Sequence, residues 1–179
     1  MFDSANTLLL MIDFQEKLIK SVFKGEVALE NSIKIANIAK SLNIPVLVTE
    51  QYPKGLGATD DTLKNNISGA KHFEKVSFSA LLNEELKNYL LNTGKKQIIL
   101  CGIELHICVL QTALDLLKNG FEVFIISDAC ASRKASEYNI GIELLKQYGA
   151  KIVTVEITLF GLLKTSSHEK FKQLQALIK

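Results

Sequence analysis

Three side chains in this 179-residue chain have the chemistry of a nucleophilic catalyst: Asp13, Lys75 and Cys108. A thiol is mostly protonated at neutral pH, so a cysteine nucleophile needs a base or a cation beside it. Asp13 can take the thiol proton and return it to a leaving group. Lys75 can lower the thiol pKa and hold the carboxylate in place. Backbone N–H groups of the turn before Cys108 can receive an oxyanion. Each residue also has a structural reading. A cysteine early in a helix is a small core residue, an aspartate after a strand caps or turns the chain, and a lysine is solvated surface.

The elements that must position these groups are written in the apolar pattern. Thr7 to Ile12 is a continuous apolar run ending at Asp13. Val27 to Leu42 has helical spacing, and Pro45 to Thr49 reads as the second strand. His72 to Lys75 is a short edge strand, and Ser79 to Leu91 a helix with Ser79 as its N-cap. Gln97 to Cys101 is a strand, followed by a turn and a helix through Leu117 that closes at Asn119-Gly120. Glu122 to Ile126 and Lys151 to Val155 are strands, separated by a helix from about Lys134 to Tyr148, and helical segments finish the chain.

Strands apolar throughout, alternating with amphipathic helices, imply a parallel sheet covered on both faces. The expectation is one domain over residues 1–179 in the α/β class. It is a three-layer α/β/α Rossmann-like fold with a mostly parallel six-stranded sheet of order 3-2-1-4-5-6. That order sets strand 1 beside strand 4 where it reverses, so Asp13 and Cys108 face one crevice. At that position a helix N-terminus favours thiolate over thiol at Cys108.

Bulk composition excludes several classes. A hydrophobic content of 47% with 22% charged residues is that of an ordinary globule. The net charge of +2 is spread over interspersed lysines and acids, so neither nucleic acid nor an anionic membrane is an expected partner. No apolar run spans a bilayer, and the first residues lack a signal-peptide pattern. Three cysteines, Cys101, Cys108 and Cys130, form no Cys-x-x-Cys pair, which points to a reducing cytoplasm.

The blocks Leu8-Leu9-Leu10-Met11-Ile12-Asp13-Phe14-Gln15, Glu74-Lys75-Val76-Ser77-Phe78-Ser79-Ala80 and Cys101-Gly102-Ile103-Glu104-Leu105-His106-Ile107-Cys108-Val109 resemble the signature blocks of the isochorismatase-like cysteine hydrolases. Ser127-Asp128-Ala129-Cys130-Ala131-Ser132-Arg133 resembles a fourth block, so the likeness covers essentially the whole chain in order. It implies an Asp13–Lys75–Cys108 triad and a non-proline cis peptide before Glu104. It also implies an oxyanion hole built from the N–H groups of Glu104 and Cys108, and a homo-oligomer of two or more copies.

Two departures bear on the reaction. Nicotinamidase-type members carry an Asp-x-His metal motif where this chain reads Thr49-Glu50-Gln51, so neither a catalytic metal nor another cofactor is expected. Isochorismatases that cleave a vinyl ether lack the cysteine that stands here at 108. The segment Thr49 to Gly57 is most similar to the short isochorismatase domain-containing members, whose substrate is generally unassigned.

The expected activity is therefore cysteine-dependent hydrolysis of a small amide or related C–N bond. Leu18, Tyr52, Phe78 and Ile107 are candidate pocket walls. His106, two residues from the nucleophile, is expected to make a structural hydrogen bond. Cys101 is expected in strand core, Cys130 in a loop, and Asp128 and Arg133 in loop organisation. Glu156 to Leu163 is a candidate subunit contact. Two other readings stand beside the hydrolase. One is a catalytically silent oligomeric binding or scaffold protein of the same fold. The other is a phosphatase, which the sequence Asp13-Phe14-Gln15 disfavours because its second aspartate is missing.

Overall fold

The computed structural model describes residues 2–178. Strands β1 (Thr7–Ile12), β2 (Val46–Gln51), β3 (Lys71–Lys75), β4 (Gln97–Ile103), β5 (Glu122–Ala131) and β6 (Lys151–Val153) form one sheet. Their order is β3-β2-β1-β4-β5-β6 and every pairing is parallel, as the strand pattern predicts. Every residue of β1 and β4 is buried, which is why these central strands are continuous apolar runs with no alternation.

The helices are α1 (Glu16–Ser21), α2 (Gly25–Ser41), α3 (Pro53–Leu56), α4 (Asp61–Asn66), α5 (Glu84–Asn92), α6 (Leu110–Lys118), α7 (Ala135–Gln147), α8 (Val155–Leu163) and α9 (Phe171–Gln175). On one face α2 crosses β1, β2, β4 and β5 and touches α8; α6 and α7 pack together on the other. Ala28, Ile35, Ala36 and Ala39 recur at helical spacing along the buried side of α2, and the small size of the three alanines lets it lie close to the sheet. Among the described residues, no helix is long and apolar enough to cross a membrane.

Several boundaries differ from the pattern reading. β4 and β5 run further than the apolar stretches, because Gly102 and Ile103 pair with Cys130 and Ala131 beyond a register shift. Cys130 is therefore a buried strand residue and not a loop thiol. β6 stops at Val153, since Thr154 caps α8 by accepting from the Ile157 N–H. Val155 is thus the first residue of a helix. Asn83 supplies a second cap, so Ser79 opens a 3-10 turn and α5 itself begins at Glu84. The segment Glu156 to Leu163 packs on its own chain's sheet, although Ile157 and Phe160 remain exposed.

Candidate active site

Asp13 sits one residue past β1, where the backbone turns left-handed at φ 53°. Non-glycine residues adopt that region rarely, Asp and Asn least so, and it cants the carboxylate across the strand ends. The turn is tied on both sides. Asp13 N–H donates to the Thr49 carbonyl at 3.1 Å, and the Asp13 carbonyl accepts from Gln15 N–H at 2.8 Å.

Lys75 reaches the same place because β3 alternates. Phe73 and Lys75 point inward while His72 and Glu74 point out. The Lys75 ammonium donates to Asp13 Oδ2 at 2.6 Å, to Gln51 Oε1 at 2.6 Å and to the Ser77 carbonyl at 3.2 Å. Thr49 Oγ1 donates to Asp13 Oδ1 at 2.6 Å, so both carboxylate oxygens are held. The ion pair is shut away from water, with 1% of the Lys75 side chain and none of that of Asp13 exposed.

Cys108 lies in a π-helical turn, Leu105–Val109, between β4 and α6. The Ile103–Glu104 peptide that opens the turn is cis. Gly102 allows β4 to carry the turn against β1, since a Cβ there would stand 2.4 Å from the Ile12 carbonyl oxygen. From this turn the Cys108 thiol comes within electrostatic reach of the Asp13 carboxylate and the Glu104 N–H. The turn is clasped from behind. Arg133 Nε and Nη2 donate to the two Glu104 carboxylate oxygens at 2.6 and 3.0 Å, and His106 Nδ1 is 3.0 Å from Ser132 Oγ.

The electrostatics reverse one expectation. Burial, reinforced by the nearby Asp13 charge, pushes the Cys108 thiol up to about 12, and Lys75 and the Glu104 N–H recover only part of that. The helix-end effect expected to favour thiolate is outweighed, because desolvation of a sulfur anion costs more than a partial dipole charge returns. Burial likewise raises the Asp13 carboxyl above its usual range, against the opposing pull of Lys75 and Thr49. At rest the site holds a neutral thiol beside a carboxylate–ammonium pair. Among the described residues no buried side-chain polar atom lacks a partner.

The structure thus brings together Asp13, Lys75, Cys108 and the backbone of Glu104. It treats the four expected wall residues differently. Tyr52 lines a cavity of about 350 Å³ with Pro53, Lys54, Glu74, Lys75 and Val76. Leu18 and Ile107 are half-buried against the core, and Phe78 is exposed. A second cavity, about 340 Å³, lies between α2, β5 and α7; Cys130 lines it and Cys108 does not.

Pattern reading missed Gln15, Thr49 and Gln51. Gln15 joins the loop after β1 to the end of β2, donating to the Gln51 carbonyl at 3.0 Å and accepting from Gln51 N–H at 2.7 Å. Thr49 and Gln51 hold the two halves of the ion pair. The sequence signal is only that polar residues close an apolar strand; the register that sets them beside Asp13 and Lys75, with Ile12 paired to Thr49 and Gln51 to Lys75, comes from the fold. His106, Cys101 and Asp128 take structural roles. Cys101 is wholly buried in β4, and Asp128 accepts from Val155 N–H and, through its carbonyl, from Asn31.

Comparison with known proteins agrees with this architecture. The family model for the isochorismatase domain matches residues 7–157. Isochorismatase family protein 1A of Dictyostelium discoideum is 42% identical over 177 residues, covering 96% of this chain and 85% of that protein. The MAR1 ribonuclease structure from Caenorhabditis elegans superposes with a TM-score of 0.93 at 36% identity, covering 99% of this chain and 91% of that one. An octameric Escherichia coli hydrolase of unknown specificity shares the fold, with a TM-score of 0.93 at 24% identity over 99% of this chain and 88% of that one. The chain belongs to the isochorismatase family.

Proposed function

We propose that this protein is a cysteine hydrolase that cleaves a small amide or related C–N bond through a thioester. The observation that carries the reading is the buried Asp13–Lys75 ion pair, whose carboxylate acts electrostatically on the Cys108 thiol. Membership of a hydrolase family supports it.

The neutral thiol is compatible with the reaction because its proton need leave only as the sulfur attacks. Asp13 takes that proton while sulfur bonds to the substrate carbonyl carbon. The carbonyl oxygen becomes an oxyanion, which accepts from the N–H groups of Glu104 and Cys108. Collapse breaks the C–N bond, and Asp13 returns the proton to the departing amine or ammonia. Water then attacks the thioester, giving its proton to Asp13. Collapse of this second intermediate releases the acid, and Asp13 reprotonates the sulfur. Lys75 stays charged throughout and keeps Asp13 ionised and oriented. Gln51 and Ser77 hold Lys75, and Thr49 holds the second carboxylate oxygen.

The same reading takes the active protein as a homo-oligomer, which the octameric relative supports. Three free cysteines fit a cytoplasmic setting.

The test is a screen of small amides and carbamates, with ammonia release as readout, on wild type and Cys108→Ala. RNA belongs in the screen because of the name of the nematode relative. Turnover that falls at least about a thousandfold in Cys108→Ala is expected, as for removal of a covalent nucleophile. Full turnover by the variant, or RNA cleavage that ignores Cys108, would sink the proposal.

A further inference from the structure

Arg133 takes no part in the chemistry above, and its side chain is 62% exposed. Yet its guanidinium grips both oxygens of a carboxylate, Glu104, whose side chain is only 6% exposed. The backbone of Glu104 starts the turn that carries Cys108. Its carbonyl accepts from Ile107 N–H at 3.1 Å and Val109 N–H at 3.2 Å, so its backbone is tied into the turn, and its N–H draws the thiol pKa down. The preceding residue, Ser132, meets His106 with its hydroxyl, and its carbonyl accepts from Phe23 N–H at 2.9 Å. The short segment after β5 therefore touches the turn at two side chains, two residues apart.

We propose that Arg133 is a positioning residue. Through its two-pronged bond to Glu104 it keeps the Glu104 N–H aimed at the Cys108 sulfur and at the oxyanion that forms beside it. A planar fork of two charge-assisted bonds fixes orientation, which a point charge does not. Without it the buried Glu104 carboxylate is left uncompensated and must swing toward water, taking its own N–H with it. The inference rests on the hydrolase reading only in the identity of the oxyanion. The aim of the N–H at sulfur is testable by itself.

The charges that act on the sulfur are Asp13 from the end of β1 and Lys75 from β3, while Glu104 and Arg133 are paired with each other on the turn and its clasp. His106 is turned toward Ser132. Iodoacetamide is the probe. The sulfur displaces iodide from the methylene carbon while the thiol proton passes to Asp13 or solvent. The modified Cys108 peptide is quantified by mass spectrometry on the full-length protein, from about pH 7 to 10. For wild type, the rate rises with pH across the whole range, because the thiol is held at about 12.

For Arg133→Ala the rate falls about tenfold at each pH with the same rising profile, the effect of one hydrogen bond lost from a thiolate. Arg133→Lys, which keeps the charge without the fork, falls in between. Glu104→Ala separates position from charge. Loss of the clasp slows alkylation, whereas removal of a negative charge alone speeds it. An Arg133→Ala rate equal to wild type overturns the proposal. So does a faster rate that levels off near an ordinary thiol pKa of about 8.5, which marks a merely loosened turn, and so does a faster Glu104→Ala. If Cys108→Ala retains turnover while Arg133→Ala still slows alkylation, the hydrolase reading falls and the positioning role stands. The reverse result removes the positioning role alone.

Discussion

Replacing Lys75 with Met keeps the length and most of the packing of the side chain but removes the ammonium. Three bonds go with it, to Asp13, Gln51 and the Ser77 carbonyl. Asp13, with no exposed surface, then has no counter-charge. A carboxylate in that position protonates instead of staying charged. At pH 7, protonating a group whose unfolded pKa is about 3.9 costs about 4 kcal/mol, at about 1.36 kcal/mol per pH unit. The sign follows from the direction of the shift. Asp13 of the variant has a folded pKa raised above its unfolded value, so folded protein holds the extra proton. Relative stability is greatest in acid and is lost as pH rises through the window above about pH 4. Because the wild-type Asp13 carboxyl is itself raised by burial, these values are upper limits: urea melts of Lys75→Met against wild type are expected to differ by at most about 4 kcal/mol at pH 7 and at most about 1.5 kcal/mol at pH 5, the gap narrowing toward acid. Turnover falls at both pH values, because a protonated Asp13 cannot accept the thiol proton. A difference under about 1 kcal/mol at pH 7, or one that does not change between the two pH values, refutes the ion-pair assignment, since about 3 to 5 kcal/mol is the ordinary cost of breaking a buried pair.

Other substitutions test the supports. Thr49→Val removes the hydroxyl donor to Asp13 Oδ1, so the carboxyl pKa rises further, and the acid limb of the kcat/KM profile is expected to move about one pH unit upward at a stability cost of about 1 to 3 kcal/mol. An unmoved acid limb in stopped-time ammonia assays counts against Asp13 as the base. Gly102→Ala and Gly141→Ala separate two kinds of close approach. The first sets a Cβ 2.4 Å from a backbone oxygen of Ile12 at a φ of 152°, and a loss above about 3 kcal/mol is expected in denaturant melts. The second meets the end of the Leu105 side chain at 2.6 Å, where a rotamer change limits the loss to about 1 to 3 kcal/mol. Equal losses refute the distinction between backbone and side-chain obstruction.

Much of the fold could be read from the chain because its signal is local. Five apolar runs, punctuated by helical periods, specify a parallel sheet, and the central position of β1 and β4 shows in their lack of alternation. Even the weakest strand, His72 to Lys75, is legible from its place between the Gly69 turn and the Ser79 cap, although only the fold shows that Lys75 points inward. The pattern does not show α1, α3 and α4, helices of four to six residues whose apolar positions are too few to show a period. Val155 was read as strand because an apolar run does not reveal the cap inside it; Thr154 makes the turn through one side-chain oxygen.

The candidate site divides the same way, and its harder half matters more for mechanism. Asp13, Lys75 and Cys108 stand out by residue type at strand ends, but what surrounds them depends on register between distant segments. Thr49 becomes a partner of Asp13 only once β2 lies beside β1, and Arg133 a partner of Glu104 only once β5 overruns its apolar core to pair with Gly102 and Ile103. The protonation state follows from burial, a property of the whole fold. A helix end argues for a thiolate, but enclosure by the sheet and the Asp13 charge together argue more strongly for a thiol. That outcome changes what reactivity means for this protein. A resting thiol that alkylates slowly at neutral pH is compatible with a nucleophile that loses its proton to Asp13 only during attack, so slow alkylation does not by itself favour a silent scaffold. What separates enzyme from scaffold is whether substrate turnover requires the carboxylate to remain ionised, which is the property that Lys75, Thr49 and Gln51 are arranged to protect.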